Sequence, residues 1–163
     1  MSGEIPGPAP QEKEPHIPSP EELQQGYVLQ PEETIAVPIV PAPNSRRRSI
    51  GIGNGMEVTG TAVAEVHLGG DQTYTRGMVI NTFNSHDRKD AVLILPKPDG
   101  QSLAVKLERG QLWGLGRRFE GQADLPDTVS GDHCAVGLDE NDRLVIENHN
   151  PTNMTGIRTF GTR

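Results

Sequence analysis

Aromatic residues are scarce in this chain: three phenylalanines, two tyrosines and one tryptophan among 163 residues, with apolar residues at 33%. That is too little to build one core over the whole length. A single cysteine, Cys134, excludes an intrachain disulfide. No apolar run approaches the roughly 18 residues a membrane helix needs, and no basic-then-apolar leader opens the sequence. These absences predict a soluble, cytoplasmic protein with no membrane partner. Cations are also in deficit, at a net charge of -7. Nucleic-acid binders usually carry a basic surface, so no nucleic-acid partner is expected.

Proline is plentiful but uneven. Ten of the fourteen lie between Pro6 and Pro43. A Pro-rich, polar segment buries too little apolar surface to offset the entropy of ordering it. The expectation is a disordered arm over residues 1–50 and one domain over 51–163, a common domain size. Within the arm, Ser19-Pro20-Glu21-Glu22 has the form of a helix start, with a Ser cap, Pro at the first position and Glu three residues after the cap. Gly26 ends it within two turns, and so short a helix is marginal alone, so a transient turn is expected. Arg46-Arg47-Arg48-Ser49 suits a basophilic Ser/Thr kinase acting on Ser49, or serves only as a basic linker.

From Met56 the pattern changes to period two. Met56, Val58, Ala62, Ala64, Val66 and Leu68 share even positions, the mark of a half-buried strand. Gln72 to Phe83 continues as β structure. Ala91 to Leu95 reads as a buried strand, Pro98-Asp99-Gly100 as a turn, and Leu103, Val105 and Leu107 alternate again. Gln111 to Leu115 makes another strand. His133 to Leu138 and Arg143 to Asn148 form a hairpin closed by residues 139–142. No long helical period appears. Many short strands between turns predict an all-β sandwich or barrel.

Three loops at the strand ends carry the chemistry: Gly116-Arg117-Arg118, then Ser130-Gly131-Asp132-His133, then Asn150-Pro151-Thr152-Asn153-Met154-Thr155. In this order and spacing the sequence resembles the forkhead-associated (FHA) family, whose signature is Gly-Arg, Ser-x-x-His and a Ser-Thr-Asn-Gly-Thr-like stretch. The match spans about residues 90–159. The resemblance implies an FHA-like β-sandwich that binds phosphothreonine peptides, uses no cofactor or metal and is not an enzyme. By position, Arg117 and Ser130 hold the phosphate, with Arg118 as the alternative arginine. Thr152 adds a hydroxyl, Asn153 holds the peptide backbone, and Gly116 and His133 support the loops. The partners implied are a phosphothreonine-containing protein and the Ser/Thr kinase that modifies it. The residue types suit the task, because a phosphate offers about -1.5 to -2 charges and three acceptor oxygens and arginine presents planar, permanently charged donors.

Some positions depart from the family. Gly131 replaces an Asn or Arg, Pro151 a Ser, and Met154 a glycine that would be strained if positive φ were needed there. The alternative is therefore an FHA-fold scaffold that binds a protein without phosphate. The family's module also continues for about four strands after the third loop. Either residues 54–80, which resemble that closing segment, supply them in a circularly permuted order, or Met56 to Phe83 is an independent addition. Thr34, followed three residues later by Val37, is a candidate phosphorylation site that a flexible arm could deliver to the chain's own pocket or a neighbour's. A nucleophilic Cys134 is not favoured, since it neighbours His133 on a strand and the two point to opposite faces. No spacing here matches a zinc or calcium motif.

Overall fold

The computed structural model describes residues 15–39, 46–69, 74–82, 91–149 and 153–160. One short helix, α1 (Pro20–Gln25), precedes eleven strands: β1 (Tyr27–Val28), β2 (Thr34–Pro38), β3 (Arg48–Gly53), β4 (Met56–Gly69), β5 (Tyr74–Asn81), β6 (Ala91–Pro96), β7 (Ser102–Leu107), β8 (Gln111–Leu115), β9 (Cys134–Leu138), β10 (Arg143–Asn148) and β11 (Met154–Thr159). They form two antiparallel sheets. One has the order β1-β11-β4-β5-β6-β7, with β3 paired to the free half of β4, and the other has the order β2-β10-β9-β8. The chain is all-β.

Alternation decides which face is buried. Val66 and Leu68 of β4, Val79 of β5, Leu93 and Leu95 of β6 and Ile157 of β11 share one core with Ile35 and Val37 of β2, Val136 and Leu138 of β9, and Leu144 and Ile146 of β10. The sheets therefore cover each other in a sandwich-like arrangement, as antiparallel sheets with one apolar face must. The period-two pattern read in β4 holds from Ala64 onward. Before it, the register shifts by one residue between Ala62 and Ala64, so Val63 is buried while Met56 is 59% exposed. Asn54 (φ 56°) and Gly55 (φ 75°) close the β3–β4 hairpin in the left-handed region, as a two-residue I′ turn demands.

The N-terminal segment requires a correction. Residues 15–39 are not a disordered arm; they supply an edge strand to each sheet. Tyr27 pairs with Ile157, and Thr34 to Pro38 pair along β10. Leu23, Leu29, Ile35, Val37 and Ile39 are all buried. Each such side chain contributes at most about 1.5–3 kcal/mol, which acts with the strand pairing to β10 and β11 against ordering costs of about 1–2 kcal/mol per residue. Proline content averaged over fifty residues hid this short apolar run. The helix start also forms. The Glu22 N–H donates to Ser19 Oγ, the Ser19 N–H donates to Glu22 Oε1, and Gly26 at φ 110° ends the helix. Buried Leu23 anchors a turn too short to persist alone. Residues 1–14 lie outside the described residues.

Candidate functional site

The loops singled out in the sequence meet at one end of the two sheets. β8 runs into Gly116, and the chain returns through successive turns, each closed by an N–H three residues on: Phe119 to Gly116, Gln122 to Phe119, Leu125 to Gln122, Val129 to Pro126. Buried Leu125 and Val129 pin this return to the core. Thr128 Oγ1 lies 2.8 Å from Thr75 Oγ1 of β5, and Lys97 reaches Asp124 at 3.1 Å. The return path is thus tied to the seven-stranded sheet as well as to its own.

The first two loops lie against each other. The Arg117 N–H donates to the Ser130 carbonyl and the Arg118 N–H to the Gly131 carbonyl, both at 3.0 Å, and the His133 N–H donates to the Leu115 carbonyl at 2.8 Å. This approach is the reason for glycine at 116: a Cβ there would come within 2.0 Å of the Gly131 carbonyl oxygen. Sequence reasoning missed Gln122, which holds the rim from the outside. Its amide oxygen accepts from the Gly116 N–H at 2.9 Å and its amide nitrogen donates to the Gly114 carbonyl at 3.0 Å. That side chain satisfies the edge of β8 where a neighbouring strand would otherwise pair. A glutamine six residues away in a polar loop gives no local signal of this role.

His133 joins the second loop to the third. The ring is fully buried. Its Nδ1 accepts from the Ser130 N–H at 3.0 Å, so Nε2 carries the hydrogen and donates to the Met154 carbonyl at 2.9 Å. Burial pulls its basicity below the ordinary histidine value, partly opposed by that carbonyl and by the Asp132 charge. A neutral imidazole is the form both bonds require. From the third loop, the Asn153 side-chain amide donates to Ser130 Oγ. The serine oxygen then accepts from Asn153 and keeps its own hydrogen to donate elsewhere. Met154 opens β11 and is not one of the non-glycine residues with positive φ, which among the described residues are Glu32, Asn54 and Asp142, so the methionine brings no left-handed strain.

Arg117 and Arg118 both project outward. The Arg117 Nε donates to the Val129 carbonyl at 2.8 Å, which aims the guanidinium. Its Nη1 is 3.7 Å from Asp127, a fully exposed carboxylate, and pairs of that kind are worth little. The stem of Arg118 runs past Gly131, within 3.8 Å of where a Cβ would lie. The third loop rests on the N-terminal segment. Asn148 donates through its side-chain amide to the Gln30 carbonyl at 2.9 Å and accepts from Thr155 Oγ1 at 2.9 Å. The Tyr27 hydroxyl donates to Glu33 at 2.6 Å.

Of the predicted residues, Gly116, Arg117, Arg118, Ser130, Gly131, His133 and Asn153 come together here. Thr152 lies outside the described residues. Thr34 is placed elsewhere than on a flexible tether: it opens β2 opposite Glu147, and Val37 is in the core. Offering Thr34 and Val37 as a peptide to the pocket would mean peeling β2 from its sheet, which corrects the expectation of free delivery. Ser49 is exposed in the β3–β4 hairpin, its Oγ 2.9 Å from Thr59 Oγ1. Burial pushes the Cys134 thiol well up, with Asp132 adding to the effect, so it stays protonated at neutral pH. Among the described residues no helix is long and apolar enough to cross a membrane. No family model, curated protein or solved structure matches this chain.

Proposed function

We propose that this protein is a phosphothreonine-peptide-binding module of the forkhead-associated type, with its strands in a circularly permuted order, and that it joins proteins in response to a Ser/Thr kinase. One observation carries the reading. Three loops far apart in sequence are cross-braced so that Arg117, Arg118 and the hydroxyl of Ser130 stand together. Arg117 is aimed by a backbone carbonyl, and Ser130 is held as an acceptor by Asn153 with its own hydrogen left to give. Two planar cations and a neutral donor suit a group with three acceptor oxygens. In this reading Asn153, whose amide donates to Ser130 Oγ, also holds the backbone of the bound peptide.

The topology supports the permuted order. The family adds about four strands after the third loop. Of the five strands before residue 91, β3 is a hairpin partner of β4 alone, and β1, β2, β4 and β5 pair with β11, β10, β11 and β6 respectively. The closing segment accordingly starts at Tyr27, earlier than the residue 54 suggested by its resemblance.

The competing reading is a scaffold that has kept the sandwich and lost phosphate binding. Gly131, in place of a side chain that could reach the ligand, and Asp127 beside Arg117 favour it. A degenerate phosphothreonine peptide library, titrated beside its unphosphorylated counterpart and an Arg117→Ala variant, separates the two. Micromolar, phosphate-dependent binding that disappears in the variant supports the module. Absence of binding by every phosphopeptide rejects it in favour of the scaffold.

A further inference from the structure

A second histidine stands at the same loop end and is held in the opposite way to His133. The Nδ1 of His149 is 2.9 Å from Asp132 Oδ1, and its Nε2 is 2.7 Å from Glu147 Oε1. Carboxylate oxygens only accept, so both bonds are made only when both ring nitrogens carry hydrogen, as in an imidazolium. The ring is anchored at its base, because the His149 N–H donates to the His133 carbonyl at 3.1 Å. Asp132 follows Gly131, whose carbonyl receives the Arg118 N–H. Whatever fixes Asp132 therefore fixes the loop that carries Ser130.

We propose that His149 is a positioning residue for the phosphate-reading loop: as a cation it staples Asp132 to Glu147 on β10, sets the place of Ser130 and Gly131, and cancels the charge of Asp132 beside the incoming phosphate. This rests on the phosphothreonine reading above. The groups facing the ring come from each neighbouring element: Asp132 from the second loop, Glu147 from β10, and buried, neutral His133 at the start of β9. From the turn between β1 and β2, the Glu33 backbone carbonyl accepts from the Asn148 N–H, while its carboxylate is engaged by the Tyr27 hydroxyl and the Gln30 N–H. Two carboxylates against one imidazole favour the charged form. Partial burial works against it, but the bonds to Glu147 and Asp132 outweigh burial and raise the basicity of His149 above the ordinary histidine value.

The sign follows. A basic group strengthened by folding contributes stability that is complete below the unfolded histidine value, about 6.5, and is lost as pH rises through the higher folded value. Once the proton leaves, one nitrogen turns a lone pair toward a carboxylate. The staple opens, and Asp132 repels the phosphate.

The test titrates the full chain with a phosphothreonine peptide from about pH 6.5 to about pH 9, a range above the second phosphate ionisation near 6. Wild type is compared with His149→Gln, while NMR follows the His149 ring protons and the Ser130 and Gly131 amides. In wild type the affinity should fall about three- to fivefold with the midpoint of the His149 ring, and both amides should shift with that midpoint. His149→Gln should bind more weakly at the acidic end and show a flat profile. Identical pH profiles for the two proteins, or a titrating ring with unmoved amides, would overturn the staple. Amides that follow the ring in a protein that binds no phosphopeptide at any pH would keep the staple and reject the phosphothreonine reading.

Discussion

Two pairs of arginines occupy different parts of this molecule. Arg76 of β5 and Arg158 of β11 lie on the outward face of the seven-stranded sheet, on either side of β4. Their guanidinium nitrogens are 3.6 and 3.7 Å from the same Glu65 oxygen, and His67 Nε2 is 3.0 Å from it as well. Glu65 is nearly buried, and the arginines also lie over Tyr74 and Phe160. Arg117 and Arg118 stand instead on loops, where Arg117 is aimed by a carbonyl and its nearest carboxylate is fully exposed. A count of cations does not separate the two pairs. The difference lies in the fixed acid: on the sheet a buried carboxylate already gathers the charge, and at the loops the neighbouring groups orient the cation without neutralising it.

The comparison can be broken most forcefully at Gly116. Alanine there sets a Cβ against the Gly131 backbone, so the two loops must separate; we expect a loss of about 2–4 kcal/mol in denaturant unfolding. NMR shifts at the loop end should move widely, and those around Glu65 should not. Next is the functional contrast. Arg117→Ala should weaken phosphothreonine-peptide binding by at least about tenfold, the scale of a hydrogen bond to a charged group, whereas Arg76→Ala should leave the dissociation constant unchanged in the same calorimetric titration. Equal losses in both variants would place the ligand outside the loops. Removing the amide that spans Gly114 and Gly116, by Gln122→Ala, should cost about 1–2 kcal/mol and lower peptide affinity while Arg117 stays in place. Glu65→Gln should cost about 1 kcal/mol or less, since the arginine side chains are 56% and 41% exposed and solvent screens them, with no effect on binding.

The smallest effect is a pH dependence. Folding lowers the basicity of His133, so its contribution to stability is complete above the unfolded value of about 6.5 and is lost as pH falls toward the lower folded value. Melting temperature should therefore drop on the acid side of neutrality in wild type and drop less in His133→Gln.

Much of the sheet was legible because strands advertise themselves by alternation. Ala64, Val66 and Leu68, or Leu103, Val105 and Leu107, need no partner to be recognised. β1 and β2 were not legible. Two residues of β1 and the run Thr34-Ile35-Ala36-Val37 sit among prolines, and what holds them is pairing with β11 and β10 more than a hundred residues away. The bulge at residue 63 was hidden for the same reason, since only the cross-strand register reveals it. At the loop end, residue types that carry a charge or a motif could be read: Arg117, Ser130, His133 and Asn153. Gln122, Asp132 and His149 could not, because their roles arise from atoms that meet only after folding.

The pairing of Tyr27 with Ile157 has a consequence for how the chain is made. A ribosome delivers β1 and β2 well before β11 and β10, the strands that must receive them. Contacts this distant cannot reward the chain until β10 and β11 have been made, and folding dominated by such contacts is slow. The early segment must therefore wait unpaired. Its prolines, unfavourable for β pairing with a stray neighbour, suit a stretch that has to stay harmless while it waits.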